Sequence, residues 1–408
     1  DGIPLDRIGT GLTINAIACI MLAMYQALAE KSGYPRDRIS ATPQNDILKE
    51  MIGRGAWIFP VDHAVRLVGD TIEYSMKALP RCNPVSICGY HIRESGATPS
   101  QEIACALEIA KSYIENVTAR GIDAGDFVGR FSFNLNVFGN LWEQICKFRA
   151  ARKLWARMLR NEYGIQDKKT LFLRGLFGGG GSGLTKEQPE NNIMRSAFYA
   201  LGAALSGAQT TALCSFDEAY TIPTPRAALL SLRTLEIIMD EVGLRDTVDP
   251  LAGSYFIETI TKQMEDKIQE EMRAIQQIGG MIHSVSSGYI QRKVAQQAYE
   301  YEKGLQSGEY VKIGLNKYTD DDIEGPDVEL HEHNEAWVET QIKALQDLKT
   351  TRNNPAVART LKELEKGTRQ GDNVMPLLVN CCREYATVGE MTTILRDVFG
   401  EWQEPGIL

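Results

Sequence analysis

The sequence predicts a parallel α/β fold, a (β/α)8 TIM-type barrel followed by a helical appendage. Three observations carry that expectation. Short β-type runs recur at 8–15, 40–43, 85–89, 129–134, 170–174 and 209–214. Helical apolar spacing follows them, as in Leu141, Ile145, Phe148, Trp155 and Met158. The runs start at intervals of roughly 30 to 45 residues, the repeat of a βα unit in a barrel whose eight units take about 250 residues.

Each run earns its place by composition and punctuation. The first two, 8–15 and 40–43, flank an apolar helical stretch, and the second closes on Pro43. The third, 85–89, ends at Gly89, and the fourth, 129–134, alternates polar and apolar residues. The fifth, 170–174, is followed by a run of glycines read as the connection after the strand. The sixth, 209–214, leads into Ser215-Phe216-Asp217-Glu218. Six units are visible where a closed barrel needs eight, so two βα units are expected to be lacking from the N-terminal side. After about residue 250 the pattern turns wholly helical. Ile260, Met264, Ile268, Met272, Ile275 and Ile278 mark one helix face, stopped by Gly279-Gly280. The acidic stretch 320–326 reads as a loop, and the last helical pattern covers 389–399. The expected division is 1–250, a partial barrel, and 251–408, a helical region packed on it.

Composition narrows the function classes. A net charge of -9 argues against a general basic field for nucleic acid. No apolar run reaches the ~18 residues of a membrane span, and no signal peptide opens the chain. The eight cysteines are scattered without a CxxC pair, which fits buried reduced thiols in a cytoplasmic protein and no structural zinc site.

Barrel enzymes carry their chemistry at the C-terminal ends of strands and in the loops that follow. That rule selects Gln44-Asn45-Asp46 after the second run, Tyr90-His91 after the third, and Arg130 and Ser132 on the fourth. It also selects the segment 174–183 after the fifth run, and Ser215-Phe216-Asp217-Glu218 after the sixth. Each has a structural alternative. His91 also suits a satisfied core histidine and Arg130 an ion-pair partner. Gln44 and Glu218 also suit helix N-terminal groups, and the glycines a flexible connection. The glycine run lacks the GK[ST] ending of a P-loop. His331 and His333 form HxH in an acidic segment, which fits a solvated loop better than a metal site. Spacing alone stops at a barrel enzyme of unspecified reaction.

Longer motifs go further. Gln44-Asn45-Asp46-Ile47-Leu48-Lys49-Glu50 continuing to Arg54 and Ile58-Phe59-Pro60, the stretch from Ile87 to Thr98 around Gly89-Tyr90-His91, and Ser215-Phe216-Asp217-Glu218-Ala219 resemble the methylmalonyl-CoA mutase family. Val248 to Tyr255 and Gly314-Leu315-Asn316-Lys317-Tyr318 extend the likeness downstream, over nearly the whole chain. The resemblance implies an adenosylcobalamin-dependent radical rearrangement of an acyl-CoA threaded along the barrel axis. By the same resemblance, Tyr90 packs against the adenosyl group and the substrate, and His91 hydrogen-bonds the thioester oxygen. Gln44 and Thr42 contact substrate, Arg54 pairs with a free acyl carboxylate, and Arg130 and Ser132 contact coenzyme A. Glu218 touches the cofactor, with Gly53, Arg54, Gly181 and Thr221 at further cofactor-facing positions.

The departures matter too. The family's Arg-Thr-His-x-Gln-Thr-x-Gly reads here Arg174-Gly175-Leu176-Phe177-Gly178-Gly179-Gly180-Gly181, and the asparagine before Ser215 is Cys214. Losing a glutamine at Gly178 is expected to enlarge the acyl pocket for a bulkier carboxylated group. No DxHxxG motif provides the lower cobalt ligand. The resemblance therefore implies a separate cobalamin-binding small subunit in a hetero-oligomer. The competing reading is a non-catalytic homologous subunit that supports an active mutase.

Overall fold

The computed structural model describes residues 2–319 and 328–406; the acidic stretch expected as a loop at 320–326 lies outside them. Six short strands run in chain order: β1 (Gly9–Leu12), β2 (Ser40–Pro43), β3 (Ser86–Cys88), β4 (Ser132–Val137), β5 (Gly175–Gly179) and β6 (Thr210–Ala212). All pairings are parallel, β1 with β2 in one sheet and β3-β4-β5-β6 in a second. Two bonds link the sheets: Asn83 N–H donates to Ala41 O at 2.9 Å and Ser86 N–H to Gln44 O at 2.8 Å. Among the described residues the strands form no closed barrel; the parallel α/β order is as expected.

Helices α1 (Ala18–Lys31), α2 (Ile47–Gly53), α3 (Val61–Ala78), α4 (Gly89–Glu94), α5 (Pro99–Thr118), α6 (Leu141–Tyr163) and α7 (Asn191–Leu205) lie between the strands, and α8 (Pro225–Asp240) follows β6. Their ends are encoded locally. Thr98 forms a capping box with Gln101 ahead of Pro99 at the first turn of α5. Asn140 caps α6, which stops at Gly164 in the left-handed region, φ 68°.

β4 shows why the inside of this arc is polar. Phe133, Leu135 and Val137 point to the helix layer, where Phe133 meets Trp155 edge-on at 5.0 Å and Phe177 of β5 stacks on Phe148 at 4.0 Å. Ser132, Asn134 and Asn136 alternate with them and so face the other way.

The strand after residue 170 is displaced from its expected place. Residues 170–174 make no strand; the glycine run itself does, pairing Gly178 with Asn136 on one side and Ala212 on the other. The segment 174–183 is therefore strand plus turn, not a connection after a strand. None of Gly178 to Gly181 has positive φ. At Gly180 space, not turn geometry, selects glycine: a Cβ there would lie 2.4 Å from Asn136 Oδ1 and 2.6 Å from Phe138 Cδ1. β4 also begins later than expected, so Arg130 ends a 3-10 turn (Val128–Arg130) ahead of the strand and not on it.

Downstream, α9 (Tyr255–Ile278) packs on α5 and α6 and ends at Gly279, φ 113°. It buries Ile257, Met264, Ile268 and Ile275, whereas Ile278 of the expected face is 38% exposed. Then come α10 (Gly280–Ser286), α11 (Tyr289–Ser307), α12 (Glu335–Thr351), α13 (Asn354–Gln370), α14 (Val374–Arg383) and α15 (Val388–Phe399). Helix α14 lies against α1 and α3, and one hydrophobic cluster runs from Cys19 through Met264 to Phe399.

Candidate active site

The carboxyl ends of β2 and β3 hold the densest group of functional side chains. Asp46, the N-cap of α2, organises them. Its buried carboxylate accepts from Cys88 N–H at 2.7 Å and from the Tyr113 hydroxyl at 2.6 Å, which ties α2, β3 and α5 together. Burial raises its pKa, and the Tyr113 and Cys88 hydrogen bonds oppose that rise. Asn15 donates to Gln44 Oε1 at 3.0 Å and also to Glu50, fixing the Gln44 amide. Thr42, half-buried on β2, accepts from Asn83 Nδ2 at 3.1 Å.

His91 stands on α4 directly after β3. Lys49 Nζ lies 3.0 Å from its Nδ1, Cys88 Sγ 3.3 Å from the same nitrogen, and Arg54 Nη1 3.2 Å from Nε2. Burial, then the charges of Lys49 and Arg54, push the imidazole pKa down to about 3, so the ring is neutral near pH 7. Arg54 itself is exposed at the end of α2, the one cation of the pair free to turn toward a ligand. Gly53 is where α2 meets α4: a Cβ there would sit 2.8 Å from the His91 carbonyl oxygen, and the Ser95 hydroxyl donates to Gly53 O at 2.7 Å.

Tyr90 is set edge-on to His91, ring centroids 5.4 Å apart. Its hydroxyl lies 3.3 Å from Gly179 O and 3.5 Å from Cys214 Sγ, and burial holds its pKa well above the ordinary phenol value. The ring covers Gly178, where a Cβ would touch it at 3.4 Å. The glutamine-sized space expected at Gly178 is thus bounded by Tyr90.

Gly181 opens the turn after β5, beside Glu94 and Glu218. Glu94 fastens that turn, accepting from Ser182 N–H at 2.8 Å and from Asn136. Burial and the neighbouring Asp217 and Glu94 charges raise the Glu218 pKa, and no basic side chain among the described residues pairs with it. Thr221 Oγ1 accepts from His331 N–H at 3.0 Å, so the segment carrying His331 and His333 lies over this corner.

Arg130 and Ser132 sit at the amino end of β4, where Ser132 pairs with Ser86 at the start of β3, two residues or roughly 7 Å along the strands before Cys88. Arg130 donates to Ser75 O at 3.3 Å. Ser132 Oγ, Asn134 Oδ1 and Ser75 Oγ are buried without a hydrogen-bond partner among the described residues. Orphaned polar atoms along one face of β4 fit a long polar ligand laid against it. The structure thus brings together Gln44, Arg54, Tyr90 and His91, places Glu218 and Gly181 beside them, and sets Arg130 and Ser132 apart. Sequence reasoning passed over Lys49, Cys88, Glu94, Asn134 and Asn136 as site residues. The period-two spacing of Ser132, Asn134 and Asn136 was the available signal for the last two.

Fold and site together define a class: an α/β protein with parallel strands, its candidate functional groups gathered at the carboxyl ends of β2 and β3 and a row of orphaned polar atoms along β4. Sequence comparison supplies the family. The methylmalonyl-CoA mutase family model matches residues 1–401. The chain is 36% identical over 403 residues to the 2-hydroxyisobutanoyl-CoA mutase large subunit of Aquincola tertiaricarbonis, covering 98% of this chain and 72% of that one. It is 36% identical over 403 residues to the methylmalonyl-CoA mutase of Rhizobium meliloti, 98% of this chain and 56% of the relative. It is 34% identical over 402 residues to the mitochondrial methylmalonyl-CoA mutase of Homo sapiens, 98% and 54%. The chain belongs to the methylmalonyl-CoA mutase family, a family of isomerases that uses a cobalamin cofactor, and spans little more than half the length of the methylmalonyl-CoA mutases it matches.

Proposed function

We propose that this chain is the substrate-binding part of an adenosylcobalamin-dependent mutase that rearranges the carbon skeleton of a carboxylated acyl-CoA. The observation that carries this reading is the cluster of neutral His91, exposed Arg54 and amide-fixed Gln44 at one end of a polar track whose other end is Arg130. Coenzyme A would lie along Ser132 and Asn134, its charged end at Arg130, and deliver the thioester to His91. A neutral imidazole N–H is suited to hydrogen-bond the thioester oxygen as electron density shifts onto it; one such donor contributes ~10²–10³ in rate. Arg54 offers two parallel donors to the acyl carboxylate. Tyr90, packed over Gly178, closes the reacting group from water.

Adenosylcobalamin, when bound, supplies the radical chemistry. Its nucleoside side would be held by Glu218, whose carboxylate suits hydroxyl groups, by the Gly181 turn, and by Gly53, Arg54 and Thr221 near the α2 end and the β6 corner. The chain has no DxHxxG motif, and its five histidines stand elsewhere. In keeping with the large-subunit name of the Aquincola tertiaricarbonis relative, the reading includes a separate cobalamin-binding small subunit in a hetero-oligomer, and a cytoplasmic setting. It divides the chain into a substrate region at 1–250, whose strand arc two further βα units complete to a barrel, and a helical region at 251–408. No helix of the described residues is long and apolar enough to cross a membrane.

The second reading, a non-catalytic supporting subunit, rests on Leu176 and Gly178 in place of the family's polar pair. One assay separates the two. The chain is mixed with adenosylcobalamin, a DxHxxG-bearing small subunit and a panel of acyl-CoA thioesters, including methylmalonyl-CoA and bulkier branched malonyl thioesters. Turnover of a carboxylated thioester that His91→Ala lowers by ~10²–10³ is the expected result. No turnover of any thioester in an assembled complex transfers the weight to the supporting role.

A further inference from the structure

His91 has three neighbours that can only donate or donate preferentially. Lys49 and Cys88 converge on Nδ1, and Arg54 faces Nε2. A neutral imidazole carries one N–H and one lone pair, while ammonium and guanidinium groups have no acceptor. One of the two nitrogens must therefore meet a donor with its own N–H. Burial decides which. The Lys49 side chain is 0% exposed and paired with Glu50, so it has no water to turn to. Glu50 in turn receives Asn15, which also holds Gln44 and the Asp46 amide, so the ammonium is fixed by the same network that fixes the α2 cap. The Cys88 thiol is buried, its pKa pushed up to about 12, and keeps its proton. Arg54 is exposed and can move into solvent.

We propose that Lys49 is a positioning residue that sets the tautomer of His91: its ammonium, seconded by the Cys88 thiol, occupies the Nδ1 lone pair and holds the ring proton on Nε2, the nitrogen that faces the substrate side. The inference rests on the reading of His91 as the thioester's hydrogen-bond donor and deepens it. With the proton on Nε2, the contact from Arg54 is donor against donor and holds nothing. An acyl carboxylate draws Arg54 off, and the Nε2–H is then free for the thioester oxygen. No proton is transferred; the lysine ensures that the donor is on the correct side of the ring before substrate arrives.

The test reads the tautomer directly, without cofactor or partner. Long-range nitrogen–proton correlation spectra of the full chain labelled at its five histidines distinguish Nε2–H from Nδ1–H rings, and His91→Gln identifies the signal. The expected result is Nε2–H in the wild type, in Arg54→Ala and in Lys49→Arg. The double variant Lys49→Met/Glu50→Gln, which removes the ion pair without stranding a buried charge, is expected to show a substantial Nδ1–H population. In the assembled mutase it should lose on the order of 10² in kcat with little change in KM for acyl-CoA. An Nδ1–H wild type overturns the proposal, even if the double variant does not fold, and so does an unshifted Nε2–H ring in a folded double variant. The two readings fail separately: an Nε2–H ring that Lys49 controls in a chain with no mutase turnover sinks the activity alone, whereas turnover with an Nδ1–H ring sinks the role of Lys49 alone.

Discussion

At the scale of single residues, the site is a contest between burial and charge around His91. The ring's folded pKa, about 3, lies below its ordinary value near 6.5. The unfolded chain thus binds a proton that the folded chain refuses. The sign follows: the contribution of His91 to stability is full above pH ~6.5 and is lost as pH falls from there toward 3. Urea unfolding measured at several pH values should show stability declining across that window, and His91→Gln should flatten the decline. Arg54 is the other informative residue. Arg54→Gln is expected to weaken a carboxylated acyl-CoA by ~1–3 kcal/mol, the cost of a lost charge-assisted hydrogen bond, and an uncarboxylated analogue much less. Calorimetric titration of both ligands checks it; equal losses make Arg54 structural. Tyr90, His91, Gln44 and Arg54 were legible as candidate site residues because they lie in long motifs, and the structure brings the four together. Lys49 was not: a lysine in a seven-residue helix is ordinarily solvated, and only the packing of α2 under α4 shows it buried.

At the scale of elements, β5 is where the sequence misled, for a physical reason. Glycine has low strand propensity, so a run of four reads as a connection. Here the neighbours demand glycine at Gly180, crowded by Asn136, Phe138 and Glu94, while Gly178 has only the Tyr90 ring at contact distance. The two positions should respond differently to a single methyl group. Gly178→Ala meets only ordinary contact with Tyr90 and is expected to change stability by less than about 1 kcal/mol. Gly180→Ala forces β5 away from β4 and α4 and should cost ~1–3 kcal/mol. Chemical denaturation of the two variants decides; equal tolerance would mean that the run is loose after all. The helices were easier, since α6, α9 and α15 carry clean apolar spacing and caps, and the misplacements at β4 and β5 are shifts of a few residues along correctly ordered units.

At the scale of the whole molecule, the C-terminal helices are joined to the strand arc by both polar and apolar contacts. Asp70 of α3 accepts from Arg120 at 2.7 Å and from Val374 N–H at the start of α14 at 3.1 Å, while Asn373 donates to the Asp70 carbonyl at 3.0 Å. Asp70→Ala removes the acceptor of Val374 N–H and one of the two carboxylates facing Arg120, which keeps Glu73 at 3.1 Å, and is expected to cost ~1–3 kcal/mol. Because one hydrophobic cluster spans both regions, near- and far-ultraviolet dichroism should still report a single shared transition. The buried Asp46 carboxylate carries this unity into time. It grips the Cys88 amide at 2.7 Å inside the core, whereas the Gly181 amide rests on the Tyr90 hydroxyl at 3.4 Å near the surface. In deuterated water the first amide should keep its hydrogen until the entire chain opens, and the second should lose it in local fluctuations. The floor beneath His91 would then keep the slowest clock in the protein, while the rim beside Glu218, where ligand must enter and leave, keeps one of the fastest.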